Sequence, residues 1–367
     1  MYNRPDRTGS HFSGHHSTPI TNAASHQSAS SSDRHESPDY YGKLKRRLDQ
    51  LIPDNQFSAE DLLNCKTIAP RAWRLIQVSL EREQVNFSQE EFDTERVRVN
   101  NLKDEQIGVL MRAIARFAVG EKVVEDELQP LIDFYNRGDG KSRYLALFVA
   151  IQQAEEKIHA DFFQQYKENV FSSGGGQNAD PRMDRLKQKY LNTDDRYSKP
   201  FRRFFTERLP KVLARLNQAD KSTAPQFKEM AALTCYHIFA EGVVAESAYF
   251  AFIKALASKE GEILPTVLKG IRMIKQHEST HIAFGVVRLQ EIMDTSWPNR
   301  IALELGFLAN CSANLPKIVG IIGAVHREHP GSFPFPLDRR ELALEGISQL
   351  KSRLKSVLFG KYKGSST

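Results

Sequence analysis

A chain of 367 residues, 40% hydrophobic and 26% charged, can bury a sizeable core, which excludes a globally disordered protein. The net charge of +6 is modest, and no zinc-finger, aromatic–basic RNA-binding or Gly-rich phosphate-binding motif occurs, so we expect no nucleic-acid partner. Three widely spaced cysteines argue against a disulfide framework and predict a reducing, cytoplasmic location. No apolar run reaches the length of a membrane span, and we expect no transmembrane segment.

The first 38 residues are rich in Ser, His, Thr and Asn and show almost no apolar periodicity, which predicts a disordered tail. A His-rich tail can capture metal, but a solvated linker is the simpler interpretation. Residues 39–100 are predicted to form an N-terminal helical extension. The histidines of the tail are His11, His15, His16, His26 and His35.

Most of the remaining chain shows the apolar periodicity of helices, and alternating strand-like runs are absent. We therefore predict an all-α fold with an antiparallel helical bundle at its centre. The bundle is assigned to residues 101–292, and C-terminal helices at 293–367 are expected to pack on it. The helical windows are 70–84, 104–137, 141–170, 197–217, 222–257, 259–292, 297–325 and 337–358.

Two Glu-x-x-His pairs occur in this helical region: Glu156/His159 in AEEKIH and Glu278/His281 in HESTH. The first pair lies on a helix stripe that is otherwise expected to face a core. Buried charges are costly unless they are paired or bind a metal. Either pair alone would be read as a surface pair or as a core histidine with a satisfied hydrogen bond.

An upstream helix accompanies each pair and carries a Glu within a small or apolar face. Glu121 precedes Glu156 by 35 residues, and Glu241 precedes Glu278 by 37, so antiparallel hairpins would bring each couple to matching depth. Packing two such hairpins gathers four carboxylates and two imidazoles, the ligand set of a di-iron or di-manganese carboxylate site. The predicted metal ligands are Glu121, Glu156, His159, Glu241, Glu278 and His281.

Helical periodicity places several other ionisable residues away from this inward face. His277 is expected beside the site or exposed. Glu125 and Glu246 could each lie near the site, but a solvated face or a salt bridge is the simpler expectation. The residues expected on the wrong face for a metal ligand are Lys122, Glu155 and Lys157.

The sequence resembles the ribonucleotide reductase small-subunit-like ligand-binding oxidases of the ferritin-like superfamily. The similar segments are GEKVVEDELQP (120–130), AEEKIH (154–159), LTCYHIFAEG (233–242) and HESTHIAFG (277–285), and the similarity covers roughly residues 100–290. The resemblance implies a ferritin-like four-helix bundle core with additional flanking helices, and metal ligands at the six residues above. It also implies a mixed Mn/Fe centre, with Fe/Fe as the alternative, and a homodimer.

A particular residue pair beside the metals is also implied by the resemblance. In the family a valine and a tyrosine become joined by an ether cross-link when the cofactor reacts with dioxygen. The matching residues are Val124, three after Glu121, and Tyr236, five before Glu241. The family binds a long-chain fatty acid in an apolar channel, so a small apolar ligand and dioxygen are the expected partners, with an unknown electron donor. Lys122 stands where members of the family commonly have a second Glu. A substrate different from that of the family therefore stays an open alternative.

Three functions fit these observations. The first is a dioxygen-activating dimetal oxidase that acts on a C–H bond of an apolar, fatty-acid-like ligand. The second is a ribonucleotide reductase small subunit; its radical tyrosine would match Phe163, which cannot form a phenoxyl radical, although Tyr166 and Tyr236 keep this alternative open. The third is iron storage or a non-catalytic metal-binding bundle, which the chain length and the complete ligand set disfavour.

Overall fold

The computed structural model describes residues 38–172, 180–191, 198–219, 223–258, 261–294, 298–328 and 333–360. The tail predicted to be disordered, residues 1–38, lies outside these ranges except for its last residue. The domain boundaries proposed from the sequence stay predictions.

The described chain is almost entirely helical, which confirms the predicted all-α class. A two-residue hairpin, β1 (Ala257–Ser258) and β2 (Gly261–Glu262), is the one sheet in the described ranges. Two segments, Phe204–Arg208 and Thr234–Ala245, are π-helical, and Arg215–Asn217 is a 3₁₀ turn. The α-helices are α1 (Pro38–Leu51), α2 (Ala59–Ile68), α3 (Pro70–Glu81), α4 (Gln89–Asn100), α5 (Asp104–Glu127), α6 (Gln129–Asn136), α7 (Gly140–Val170), α8 (Pro181–Leu191), α9 (Lys199–Arg203), α10 (Leu209–Ala214), α11 (Pro225–Leu233), α12 (Glu246–Leu256), α13 (Pro265–Met293), α14 (Asn299–Glu328) and α15 (Arg339–Phe359).

Several helix starts are encoded by local sequence. The Ser58 and Ser88 hydroxyls each accept a hydrogen bond from the backbone N–H three residues later. The acidic side chain at that later position accepts from the serine's own backbone N–H, which completes a capping box at α2 and at α4. Asp139 caps the long helix α7 by accepting from the Ser142 backbone N–H at 3.1 Å. These caps are made by residues next to one another in the chain, so the local sequence is enough to mark where each helix begins.

The start of α13 is instead capped through tertiary structure. Glu95 of α4 is fully buried, and its carboxylate accepts from the backbone N–H groups of Thr266 and Val267 at 3.2 and 2.9 Å. The Tyr166 hydroxyl donates to the same carboxylate at 3.1 Å. Glu95 thus ties α4, α7 and α13 together and fixes the position of the fourth helix of the bundle.

Four helical elements form the central bundle: α5, α7, the continuous run α11–π–α12, and α13. Helix α5 packs along α7, and α13 packs against the π-helical segment and α12. Helices α1 to α4 cover one side, where α3 and α4 contact both α7 and α13, while α14 and α15 cover the π segment. The bundle interior is therefore shielded on several sides by flanking helices.

Helix α14 has an exposed apolar face. The stretch Asn299–Val325 is long and apolar enough to cross a membrane by length and composition alone, with 22% of its most apolar window buried. The sequence analysis missed it because polar Asn and Ser residues interrupt the apolar runs. Core helices of soluble proteins pass the same test, so this finding alone does not assign a membrane span. The exposed apolar residues of α14 are Ile301, Leu305, Leu308, Leu315 and Val319.

Candidate metal centre

The six predicted metal ligands converge in the middle of the bundle. Helix α5 supplies Glu121, and α7 supplies Glu156 and His159. The π segment Thr234–Ala245 supplies a fourth ligand, a carboxylate, and α13 supplies a further carboxylate and a histidine. None of the six is more than 6% exposed, so bulk water does not solvate their charges. The remaining three are Glu241, Glu278 and His281.

The cluster divides into two groups of four, and within each group the ligand atoms all lie within 4.8 Å of one another. Glu156 and Glu278 belong to both groups. One group adds Glu121 and His159, and the other adds Glu241 and His281. Two cations could therefore sit side by side, each with its own Glu and His, joined by two shared carboxylates.

The imidazole nitrogens point into the cluster in the way a metal ligand must. His159 Nδ1 lies 3.0 Å from Glu156 Oε2 and 3.7 Å from Glu121 Oε2. His281 Nδ1 lies 3.1 Å from Glu156 Oε1 and 3.5 Å from Glu278 Oε2. Each Nδ1 therefore faces carboxylate oxygens that could share a cation with it.

Burial and mutual repulsion shape the protonation of the carboxylates. Burial raises the pKa of Glu121 to about 7, and burial together with the nearby Glu156 and Glu241 raises that of Glu278 well above its usual value. Burial would also raise the pKa of Glu156, but hydrogen bonds with His159 and His281 outweigh it and lower that pKa well below normal. The cluster without metal therefore shares protons among its members.

The imidazoles take up protons in the same cluster. Burial would lower the pKa of His159, but hydrogen bonds with Glu121 and Glu156 raise it to about 10. Burial opposes protonation of His281 as well, and its carboxylate partners, led by Glu155, raise its pKa well above normal. Both rings must release a proton before Nδ1 can bind a metal.

The donor set fits two divalent cations. Glu241 Oε2 and Glu278 Oε2 are buried and have no hydrogen-bond partner within the described ranges. Four ionised carboxylates would leave a large uncompensated negative charge in a dry interior, whereas two divalent cations neutralise it. The orphaned ligand atoms and the charge balance both match a dimetal site.

The third ligand element is a π-helix, and this changes which residues share a face. A π-helix closes its hydrogen bonds over five residues and has a wider turn, so side chains five apart lie closer to one face than they do in an α-helix. Tyr236 and Glu241 have this spacing and both face the cluster, where the Tyr236 hydroxyl donates to Glu156 Oε1 at 2.9 Å. The sequence analysis assumed α-helical periodicity here, which would separate these two residues by more than one turn.

Val124 borders the same cluster from α5. It is 5% exposed and lines a cavity that also reaches Glu121, Glu156 and Glu241. Tyr236 is fully buried, with its hydroxyl on Glu156. The structure thus brings both members of the expected cross-link pair to the carboxylates.

Glu155 contacts a candidate ligand although periodicity placed it on another face. It belongs to neither ligand group, but it is buried and its Oε2 lies 2.8 Å from His281 Nε2. Its other oxygen accepts from Arg82 at 3.2 Å. Glu155 is thus absent from both ligand groups, as expected from its face of the helix, but it is buried because α3, α4 and α13 cover α7 on that side.

His277 takes the first of its two expected positions, beside the site. Its Nδ1 lies 3.0 Å from His159 Nε2, and it is 7% exposed. Each candidate ligand histidine therefore has a buried partner on the ring nitrogen that faces away from the cluster: His277 for His159, and Glu155 for His281. Such partners fix ring orientation and tautomer.

The remaining charged neighbours form ion pairs outside the site. Lys122 is exposed and pairs with Glu125 at 3.1 Å and Asp126 at 2.8 Å. Lys157 is also exposed and pairs with Asp161. Glu246 is buried and pairs with Lys275 of α13.

Tyr249 was missed by the sequence analysis. Its hydroxyl donates to Glu121 Oε1 at 3.2 Å and lies 3.3 Å from Glu278 Oε1. It therefore contacts a carboxylate that belongs to one ligand group and a carboxylate that belongs to both. It follows Glu241 by eight residues, two helical turns, and this spacing was the available sequence signal.

An apolar cavity of about 230 Å³ opens directly onto the carboxylates. It runs between α5 and α12 and is bordered by α14, by residues 333–337 and by the start of α15. Its wall is almost wholly hydrocarbon apart from the cluster and an ion pair between Arg116 and Glu328 at 2.8 Å. Among the apolar lining residues are Phe117, Val124, Val244, Phe252, Ile321 and Leu337.

A comparison with models of known protein families finds no match. Solved structures with the same fold include R2-like ligand-binding oxidases. One with an aerobically reconstituted Mn/Fe cofactor after a long soak has a TM-score of 0.60 and 19% identity, covering 79% of this chain and 92% of that chain. A tyrosine-to-phenylalanine variant with the same cofactor, and a valine-to-leucine variant reconstituted anaerobically, share these values and are covered over 93% of their length. The fold of this chain is thus the R2-like, ferritin-like helical fold that the sequence resemblance predicted.

Proposed function

We propose that the protein is a dioxygen-activating dimetal oxidase that acts on a C–H bond of an apolar, fatty-acid-like ligand. The observation that carries this proposal is the pair of buried Glu/His groups that share Glu156 and Glu278 and face an apolar cavity. Manganese with iron is the proposed metal content, with two irons as the alternative. Neighbours of the same fold were solved with a Mn/Fe cofactor, which supports the choice.

The six ligand residues divide the work of holding the metals. Glu121 and His159 would hold one metal, Glu241 and His281 the other, and the two shared carboxylates would bridge them. When bound, the metals would supply dioxygen activation and oxidising power. The chain supplies ligand geometry through the buried partners of each histidine, and its hydrocarbon cavity excludes water from the reacting C–H bond.

An ether cross-link between Val124 and Tyr236 is part of the proposal. One Val124 C–H bond and the Tyr236 O–H bond would break, a C–O bond would form, and two electrons and two protons would pass to dioxygen. The Tyr236 proton already points at Glu156 Oε1. The neighbours were solved as variants of two tyrosines that lie 13 residues apart, which is also the separation of Tyr236 and Tyr249. They were also solved as variants of a Glu and a Val three residues apart, which is the spacing of Glu121 and Val124.

A ribonucleotide reductase small subunit is disfavoured by the structure of the radical position. Phe163 is fully buried and stacks on Phe117 with ring centroids 4.9 Å apart. The Tyr166 hydroxyl donates to Glu95. Tyr166 and Glu95 both lie outside the two ligand groups. A passive metal store is disfavoured because its cluster would have no use for an apolar cavity beside it.

The test is anaerobic loading with Mn²⁺ and Fe²⁺, followed by exposure to air. We expect two metals per chain, a near-ultraviolet charge-transfer band, and a linked peptide pair two hydrogens lighter than the sum of its parts. Mass spectrometry should find that pair in the wild type and in Val123→Ala, a half-buried neighbour control, but not in Tyr236→Phe.

Two outcomes would contradict different parts of the proposal. Failure to bind two metals per chain would contradict the dimetal oxidase itself. Metals that load and react with dioxygen without producing the linked pair would contradict the cross-link alone, and the oxidising power would then be directed to an external substrate.

A further inference from the structure

Gln152 connects Tyr236 to a buried histidine that has no role so far. It lies one turn before Glu156 on α7 and is fully buried. Its Nε2 donates to the Tyr236 hydroxyl oxygen and to Glu241 Oε1, both at 2.9 Å. Its Oε1 lies 3.2 Å from Nε2 of His237. The amide therefore touches the candidate cross-link tyrosine, a candidate ligand and a second imidazole at once.

The partners of Gln152 determine which way its amide faces. The NH₂ faces Glu241 Oε1 and the Tyr236 oxygen, so both of its protons find an acceptor. The reversed amide would place its oxygen against the Glu241 oxygen and lose that bond. The amide oxygen consequently faces His237, which must donate to it.

His237 can donate in only one way. It is fully buried, and burial lowers its pKa to about 3, so the ring is neutral and carries one N–H. Its Nδ1 has no partner within the described ranges, whereas Nε2 faces the Gln152 oxygen. The ring is held closely by Gly285, where an added Cβ would lie 2.2 Å from the His237 Cβ. The Nε2–H tautomer is therefore the one that satisfies the network.

These bonds make a chain with one direction. His237 donates to Gln152, Gln152 donates to the Tyr236 oxygen, and Tyr236 donates to Glu156 at 2.9 Å. Because the Tyr236 oxygen already accepts from the amide, its own proton is directed to the carboxylates. Without the amide, the phenol could rotate its proton and its lone pairs freely among the surrounding oxygens.

We propose that Gln152 and His237 are positioning residues that fix the Tyr236 hydroxyl, with its proton directed at Glu156 and its oxygen held by the amide beside Glu241. This inference rests on the proposed function for the use of Tyr236, but the hydrogen-bond chain itself exists without metal. It assigns a shared purpose to a buried Gln and a buried neutral His that are not themselves candidate metal ligands.

The experiment compares Gln152→Leu and His237→Phe with the control Gln153→Leu. Gln153 is the next residue on α7 and is half-buried; its amide bonds to the Glu125 backbone carbonyl and does not contact Tyr236. The first readout uses metal-free protein: the ultraviolet resonance Raman tyrosine doublet, taken as a difference against Tyr236→Phe, which reports whether a phenol donates, accepts or does both. The second is the yield of linked peptide at equal metal content.

We expect Tyr236 to both accept and donate in the wild type and in Gln153→Leu, and to act only as a donor in Gln152→Leu, which lacks the amide. In His237→Phe the Gln152 oxygen loses its donor and the amide is free to turn, so the accepted bond should weaken and the doublet should shift part of the way in the same direction. The yield of linked peptide should fall at least about tenfold in Gln152→Leu and His237→Phe, because the reacting oxygen is no longer held in place. His237→Gln, whose amide can donate to Gln152, should restore both signals, which a general packing defect would not do.

An unchanged doublet in Gln152→Leu and His237→Phe would overturn the proposal. Failure of His237→Gln to restore the doublet would also overturn it, since the role would then be packing. If the doublet responds as expected but no wild-type link forms, the hydrogen-bond chain stands and the cross-link of the proposed function fails.

Discussion

Single-ligand substitutions should separate the two metal positions, because the six ligands are shared unequally. Glu121 belongs to one group, Glu241 to the other, and Glu156 to both. Glu121→Ala and Glu241→Ala should each reduce binding from two metals per chain to one. Glu156→Ala should abolish stoichiometric binding, because both metals lose a charged ligand.

The magnitude follows from how directly each residue contacts the metal. Loss of a hydrogen-bond partner of a ligand typically weakens metal binding about 10- to 100-fold. Loss of a charged ligand should therefore weaken the affected position by at least about 100-fold and leave the other position within about tenfold. All three variants should keep their helix content, since the bundle core consists of other residues.

The assay is metal analysis after equilibration with Mn²⁺ and Fe²⁺ and removal of free metal, with circular dichroism to check folding. Lys122→Ala is the matched control, because Lys122 follows Glu121 directly but is exposed and pairs with Glu125 and Asp126. It should retain two metals. Equal stoichiometry in Glu121→Ala and Glu156→Ala would refute the assignment of shared and unshared ligands.

Three further predictions follow from the surroundings of the cluster. Metal affinity should rise about tenfold per pH unit from pH 6 to 8 in competition titrations, because metal binding displaces one proton from the His159 ring. The pKa of His159, about 10, keeps that ring protonated in the metal-free protein over this range. Glu121, with a pKa of about 7, releases a second proton below neutrality and makes the rise steeper there. A pH-independent affinity would contradict this. Glu155→Ala should weaken binding at the His281 position about 10- to 100-fold in the same titration, with no effect on the other position. Glu95→Ala should lower the free energy of unfolding in urea by about 3 kcal/mol or more, because two helix N–H groups and a buried tyrosine hydroxyl lose their acceptor; a change below about 1 kcal/mol would show that other groups cap α13.

Local pattern was sufficient to predict the helical class and the residues that meet at the site. The spacing of apolar residues gave the window 70–84, and α3 spans Pro70–Glu81. Glu-x-x-His places both side chains on one face of an α-helix, and nearly equal separations of 35 and 37 residues place the accompanying carboxylates at the same depth. These relations depend only on helix geometry within one hairpin, so they can be read without knowing the rest of the fold.

Periodicity failed where the helix itself departs from α geometry. The window 222–257 was read as one regular helix, whereas residues Thr234–Ala245 within it are π-helical. The wider turn brings Tyr236 onto the face of Glu241, which no rule of 3.6 residues per turn would give. The distortion is stabilised by packing against α13, α14 and α15, and these contacts are not visible in the local sequence.

Only tertiary structure decided which polar residues support the site. Periodicity assigns one buried face to each helix, but α7 is covered on several sides, so Glu155 is buried against His281. Gln152 shares the face of Glu156, but its partner His237 comes from the π segment, which local sequence does not pair with it. The apolar cavity likewise depends on where α14 and α15 cross the bundle. The sequence by itself determined most of the helices and which candidate ligands meet, because both follow from spacing along a helix. The partners of those ligands and the space beside them follow from how helices far apart in the chain pack together.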